Sequence, residues 1–200
     1  AIIYEDDSLD YMNLKMQVDK LAGKWREMGF VKGERIGLML ANHPYFIISY
    51  YAAQALGLIV VQMNPMYKPR ELLQILIDSD AKYIVFDHTA ADTIEETKAI
   101  YEFDVCMKTE DDQNGSYSLQ TLIQSGEAIK ESEIINPHED IAVIQYTGGT
   151  TGKIKGAMLT HHNLTSNVVQ SFEMYGDSLK PGEEIVLAAT PLYHVYAMTS

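Results

Sequence analysis

The sequence predicts an α/β fold, a parallel sheet with helices on both faces. Short apolar, β-branched runs alternate with longer stretches of helical periodicity through the first half of the chain. The strand candidates are almost continuously apolar, as strands covered on both faces must be. Glycine and proline punctuate the joints between segments.

Each element follows in order. Lys15 to Met28 carries Met16, Leu21, Trp25 and Met28 near helical spacing and stops at Gly29. Arg35 to Ala41 is a buried strand, with Ile36, Leu38, Met39 and Leu40. Asn42 and His43 offer a polar cap, and Pro44 suits the first turn of a helix that runs to Gly57. Leu58 to Met63 is a strand broken by Asn64 and Pro65. Pro69 to Asp78 is a helix, Lys82 to Phe86 a strand and Ala90 to Tyr101 a helix. The polar stretch from Lys108 to Gly115 is a surface loop, Ser118 to Ser125 a short helix, and Glu131 to Asp140 a polar connector. Ile141 to Gln145 and Ala157 to Thr160 are strands, Leu164 to Tyr175 is helical, and Ile185 to Ala189 is expected as an apolar strand. Ligands of such sheets sit beyond the carboxyl ends of the strands.

The bulk properties exclude several classes. A net charge of −13 over 200 residues, with a pI near 4.7, argues against a nucleic-acid partner. Cys106 is the single cysteine, so no internal disulfide can form and a reducing cytoplasm fits. No apolar run approaches the ~18 residues of a membrane-spanning helix. The chain starts on Ala1 and ends on Ser200 after an apolar segment, and both ends are expected to be cuts in a longer protein.

The chemistry concentrates in Tyr146-Thr147-Gly148-Gly149-Thr150-Thr151-Gly152-Lys153-Ile154-Lys155-Gly156, directly after a strand. Glycines let a ligand approach the backbone amides, which can curl around an anion. Threonine hydroxyls add donors, and Lys153 and Lys155 supply charge that an acidic protein otherwise lacks. A Walker A loop does not fit. That motif needs four residues between its glycines and a Ser or Thr after the lysine. Gly148 and Gly152 are separated by three, and Ile154 follows Lys153. A plain Gly/Thr hairpin with solvated lysines is the bland alternative.

The run resembles the phosphate loop of the acyl-adenylate-forming superfamily, in the form carried by bacterial long-chain acyl-CoA synthetases. Other segments agree in family order: Leu9 to Leu14, Gly33 to Tyr51, Ala55 to Leu72 and Pro191-Leu192-Tyr193-His194. The resemblance covers essentially the whole chain. It implies a flavodoxin-like parallel sheet within an incomplete N-terminal AMP-binding domain. Residues 1–135 would form a first α/β subdomain, and 136–200 the phosphate-loop hairpin and the start of a second.

The resemblance further implies two half-reactions. A fatty acid and ATP give acyl-adenylate and pyrophosphate, and CoA then displaces AMP. The cofactors and co-substrates would be ATP, Mg²⁺ and CoA. Thr147, Gly148, Gly149, Thr150, Thr151, Gly152, Lys153, Lys155 and Gly156 would bind the phosphates. Tyr193 and His194 would line the acyl pocket, with His194 as the catalytic residue that places the carboxylate. No residue is assigned to a metal. Gly148 stands where many members carry a hydroxyl implicated at Mg²⁺, and Ile154 replaces the usual proline. Adjacent side chains point apart, so His161 and His162 are not read as a metal site. The enzyme would be cytoplasmic, with peripheral contact at the inner membrane face and oligomer formation left open. The alternatives are a ligase for acetate, an aryl acid or an amino acid, and a non-catalytic nucleotide- or acyl-binding fragment.

Overall fold

A computed structural model describes residues 1–110, 117–147, 154–176, 180 and 182–198. Strands β1 (Ile2–Tyr4) and β2 (Asp7–Leu9) form an antiparallel hairpin that precedes the main sheet. Helix α1 (Tyr11–Glu27) begins where Asp10 Oδ1 accepts the Asn13 amide at 2.7 Å. It ends ahead of Gly29, whose φ of 92° a side chain would resist.

Strand β3 (Arg35–Met39) leads into α2 (Pro44–Ala55). His43 is the residue that caps α2, its Nδ1 accepting the Tyr45 amide at 3.1 Å. Strand β4 (Ile59–Gln62) follows, then α3 (Pro69–Ser79), β5 (Tyr83–Phe86), a 3₁₀ turn (His88–Ala90) and α4 (Ala91–Lys98). The helix expected over 90–101 is thus shorter, its start tightened into the 3₁₀ turn that the Asp87 side chain caps. The remaining elements are β6 (Val105–Lys108), β7 (Tyr117–Ser118), α5 (Leu119–Ser125), β8 (Ile141–Thr147), β9 (Lys155–Thr160), α6 (His161–Tyr175) and α7 (Val195–Met198).

Among the described residues seven strands form one sheet in the order β7-β6-β5-β3-β4-β8-β9. All pair in parallel except β9, an antiparallel edge strand on β8. Strand alternation divides the core. Val60 and Val143 face one cluster with Trp25, Phe46 and Leu119, supplied by α1, α2 and α5. Val61 and Ile144 face the other with Leu72, Ile75 and Ile94, supplied by α3 and α4. Helices therefore cover both faces, as the apolar strand runs require. The sheet does not stop at residue 135, because β8 joins it through Val60↔Val143 and Gln62↔Gln145.

Two expectations give way. Residues 185–189 are not a strand: they pair with no other strand among the described residues. Ile185, Val186 and Leu187 are 85%, 75% and 88% exposed, so an apolar sequence alone does not make a strand without a partner. Of the tyrosine pair on α2, which the sequence reads most simply as core, Tyr51 faces outward at 53% exposure. Tyr50 stays largely buried, which pushes its hydroxyl pKa up.

Candidate functional site

The parallel register puts the carboxyl ends of β3, β4, β5 and β8 on one edge, and the candidate residues gather there. Strand β8 ends at Thr147 and β9 begins at Lys155, and these two residues are register partners across the β8–β9 pair. Both are exposed. Among the described residues no carboxylate pairs with Lys155, so its charge is available to a ligand. Gly148, Gly149, Thr150, Thr151, Gly152 and Lys153 lie outside the described residues.

The base of this hairpin is tightly built. Tyr146 is buried and donates its hydroxyl to Asp78 Oδ2 at 2.6 Å. Burial first, then the Asp78 carboxylate, holds that phenol protonated well above its ordinary range. Gly156 pairs with Tyr146, and a Cβ there would stand 2.7 Å from Ile144 Cγ2 and 3.0 Å from Tyr146 Cζ. Glycine at 156 is thus a packing requirement, and it sets Lys155 at the hairpin's closing end.

The second candidate group, Pro191 to His194, docks on the same edge. Asn42, just beyond β3, binds it through three contacts. Its Nδ2 donates to the carbonyls of Ala188 at 2.8 Å and Thr190 at 3.0 Å, and its Oδ1 accepts the Leu192 amide at 2.8 Å. Gln62, at the end of β4, donates through Nε2 to Leu192 O at 3.4 Å and to Met198 Sδ at 2.9 Å. The Oε1 atoms of Gln62 and of its register partner Gln145 are buried and lack a partner among the described residues. Both side chains share the face of Val60 and Val143, so two acceptors sit side by side at the edge.

Tyr193 is half-buried against the first core cluster, while His194 is exposed beside it with ring centroids 4.7 Å apart. The Tyr67 hydroxyl is pushed up mainly by burial, then by Glu71 and Tyr193. Asn64 and Tyr67 act in the turn itself: Asn64 Oδ1 accepts the Met66 amide and Asn64 O accepts the Tyr67 amide.

Other chemistry-bearing residues stay apart from this edge. The His162 and His138 rings are tilted against each other with centroids 4.1 Å apart, and no group of three His, Cys, Asp or Glu side chains among the described residues could hold a metal. The Cys106 thiol is pushed up to about 11 by burial, which makes it inert near neutral pH.

A sequence model described as AMP-binding enzyme matches residues 1–200. The chain belongs to the AMP-binding enzyme family. It is 35% identical to a long-chain-fatty-acid–CoA ligase of Salmonella typhimurium over 86% of this chain and 35% of that protein. A ligase of the same name from Bacillus subtilis is 32% identical, over 100% of this chain and 40% of the relative. The crystal structure of a long-chain-fatty-acid-CoA ligase from Archaeoglobus fulgidus superposes with a TM-score of 0.85 at 28% identity. That match covers 99% of this chain and 39% of the other. The chain therefore spans between a third and two fifths of the length of these relatives. Its fold matches part of such an enzyme's N-terminal domain.

Of the candidates read from the sequence, Thr147, Lys155, Gly156, Tyr193 and His194 lie among the described residues, at one edge of the sheet. Asn42 and Gln62, which hold the 188–192 segment there, were not singled out. The signal was present, since each is a polar amide at the carboxyl end of an apolar strand, but Asn42 reads more simply as a helix cap.

Proposed function

We propose that the complete protein activates a fatty carboxylate with ATP and transfers the acyl group to CoA. The observation that carries this reading is the paired mouth of the β8–β9 hairpin, Thr147 and Lys155, beside the docked Pro191–His194 segment at one sheet edge. The resemblance of the loop to a phosphate loop supports placing Thr147, Gly148, Gly149, Thr150, Thr151, Gly152, Lys153, Lys155 and Gly156 around the triphosphate. The names of the relatives support a long-chain acid over acetate, aryl or amino acids.

In the first step a carboxylate oxygen attacks the α-phosphorus, and pyrophosphate leaves with its electron pair. In the second the CoA sulfur attacks the acyl carbon, the thiol proton passes to solvent and AMP departs. A carboxylate is a poor electrophile, and the adenylate supplies the leaving group. The chain's contribution is position and charge. Lys155 offsets charge that builds on the departing phosphates, as a mobile point charge can. Tyr193 shapes one wall of the acyl pocket, and His194 orients the carboxylate beside it.

Mg²⁺ would travel with ATP. The described residues offer it no carboxylate or histidine cluster, and no step proposed here runs through it. Residues 1–135 and 136–200 as two subdomains belong to the same proposal, with β8 shared by the first sheet. No helix among the described residues is long and apolar enough to cross a membrane. A cytoplasmic enzyme with at most peripheral membrane contact is our placement.

The test is pyrophosphate release by the complete protein with ATP and CoA, comparing long-chain fatty acids with acetate and benzoate. We expect turnover to be fastest with a long-chain acid. Faster turnover with acetate or benzoate moves the protein to another acid, and no release with any acid overturns the reading.

A further inference from the structure

The contacts of Asn42 have a chemical regularity. The three backbone groups that it holds belong to residues 188, 190 and 192, alternate residues of an irregular segment that bends at Thr190 and turns at Leu192. One planar amide thus fastens this segment at three points, donating twice and accepting once. This explains how residues 188–192 lie against the sheet's edge without pairing as a strand. Gln62 holds the same segment from the next strand, through Leu192 O and Met198 Sδ. Gln62 is only 1% exposed, so its amide is spent on this contact and not on water.

We propose that Asn42, assisted by Gln62, is a positioning residue that seats the 188–194 segment over the ends of β3 and β4 and so sets where Tyr193 and His194 stand. Neither amide needs to touch substrate. His194 itself rests on a turn in which its amide donates to Pro191 O at 3.0 Å, and its carbonyl accepts the Met198 amide at 3.2 Å. Nothing in that short turn fixes its distance from the β8–β9 hairpin. The Asn42 and Gln62 amides supply the fixed reference, since they stand at the ends of the central strands β3 and β4, and β4 pairs with β8. The chemistry of Asn42 is specific: aspartate keeps the acceptor for Leu192 but sets a carboxylate against two carbonyls, and alanine keeps nothing. The consequence for acid activation rests on the function proposed above, whereas the seating itself does not.

Two measurements on the complete protein separate these layers. The first is amide hydrogen exchange without substrate. In Asn42→Ala the Leu192 amide should exchange at least about tenfold faster, the loss expected for one broken partly buried hydrogen bond. Leu38, inside β3, should keep its protection. Unchanged exchange at Leu192 in Asn42→Ala overturns the seating. The second is pyrophosphate release with separate titrations of acid and ATP. Asn42→Ala should raise KM for the acid about tenfold and leave KM for ATP within about twofold. Gln62→Leu, which keeps the volume and removes the donor, should show the same split to a smaller degree. If Asn42→Ala also loses protection at Leu38, Gln62→Leu decides the kinetic question alone. An equal rise in both constants, or in neither, overturns the positioning role. If the unmodified protein releases no pyrophosphate with any acid, the functional reading fails, and exchange at Leu192 still decides whether Asn42 seats the segment.

Discussion

Lys155 carries the sharpest expectation at the scale of single residues. It stands exposed at the closing end of the hairpin, opposite Thr147, with no carboxylate partner among the described residues. In the complete protein Lys155→Ala should slow adenylation about ten- to a hundredfold, since a charge-assisted contact is worth roughly 1.5–3 kcal/mol. Thioester formation from preformed acyl-adenylate should change far less, because the pyrophosphate has already gone. Single-turnover assays from each starting point decide it, and an equal loss in both would show that the lysine does not act on the phosphates. Cys106 gives a pH expectation. Burial raises its pKa from an ordinary 9.0 to about 11 in the folded chain, with Lys98 opposing. The neutral thiol's contribution to stability is therefore complete below pH 9 and is lost as pH rises to about 11. Thiolate absorbance should titrate near 11, and the stability gap to Cys106→Ser should narrow across that window. A titration midpoint near 9 would mean that the thiol is solvated.

At the scale of elements, Gly23 shows how packing overrides propensity. It sits inside α1, where alanine would be the better helix former by about 1 kcal/mol. A Cβ at that position would stand 1.8 Å from the Glu127 carbonyl oxygen, a backbone atom that cannot rotate aside. The same approach lets the Ile129 amide donate to Asp19 O at 3.1 Å. Overpacking costs about 1–3 kcal/mol or more, so Gly23→Ala should lower the urea midpoint of the 200-residue chain despite its propensity. A raised midpoint would show that α1 does not lie on residues 127–129. Legibility divides along the same line. Helices α2 and α3 were readable because Pro44 and Pro69 mark their starts locally. Strands β3, β4, β5 and β8 were readable because burial on both faces demands unbroken apolar runs. Strand β6 (Val-Cys-Met-Lys) and the two residues of β7 were not, because their strand character comes only from pairing with β5 and with each other. The Tyr146–Gly156 motif was legible as a contiguous run. Asn42 was not legible as a site residue, because its partners lie 146 to 150 positions away.

At the scale of the molecule, the unevenness of burial carries the last expectation. The strand order β7-β6-β5-β3-β4-β8-β9 leaves β9 as an edge, and α6, the helix that follows it, has no buried residue. Val168, Val169, Phe172, Met174 and Tyr175 on that helix are exposed, as are Met158 on β9 and Ile185, Val186 and Leu187 beyond it. Few monomers leave this many large apolar side chains in water on consecutive segments of the chain. An open edge strand beside them adds unpaired amides and carbonyls. The relatives are two and a half to three times longer than this chain, so additional chain can supply the cover. The 200-residue chain alone should therefore associate with itself through this side. Its net charge of −13 opposes that contact at long range, but salt screens the repulsion within about 10 Å at 0.1 M and leaves the apolar gain in place. Light scattering should show mass rising with concentration, more steeply as salt increases. Phe172→Ser combined with Leu187→Ser should weaken the association. A chain that stays monomeric at every concentration and salt, with residues 185–187 as protected from exchange as β3, would show that this surface is already satisfied within the 200 residues.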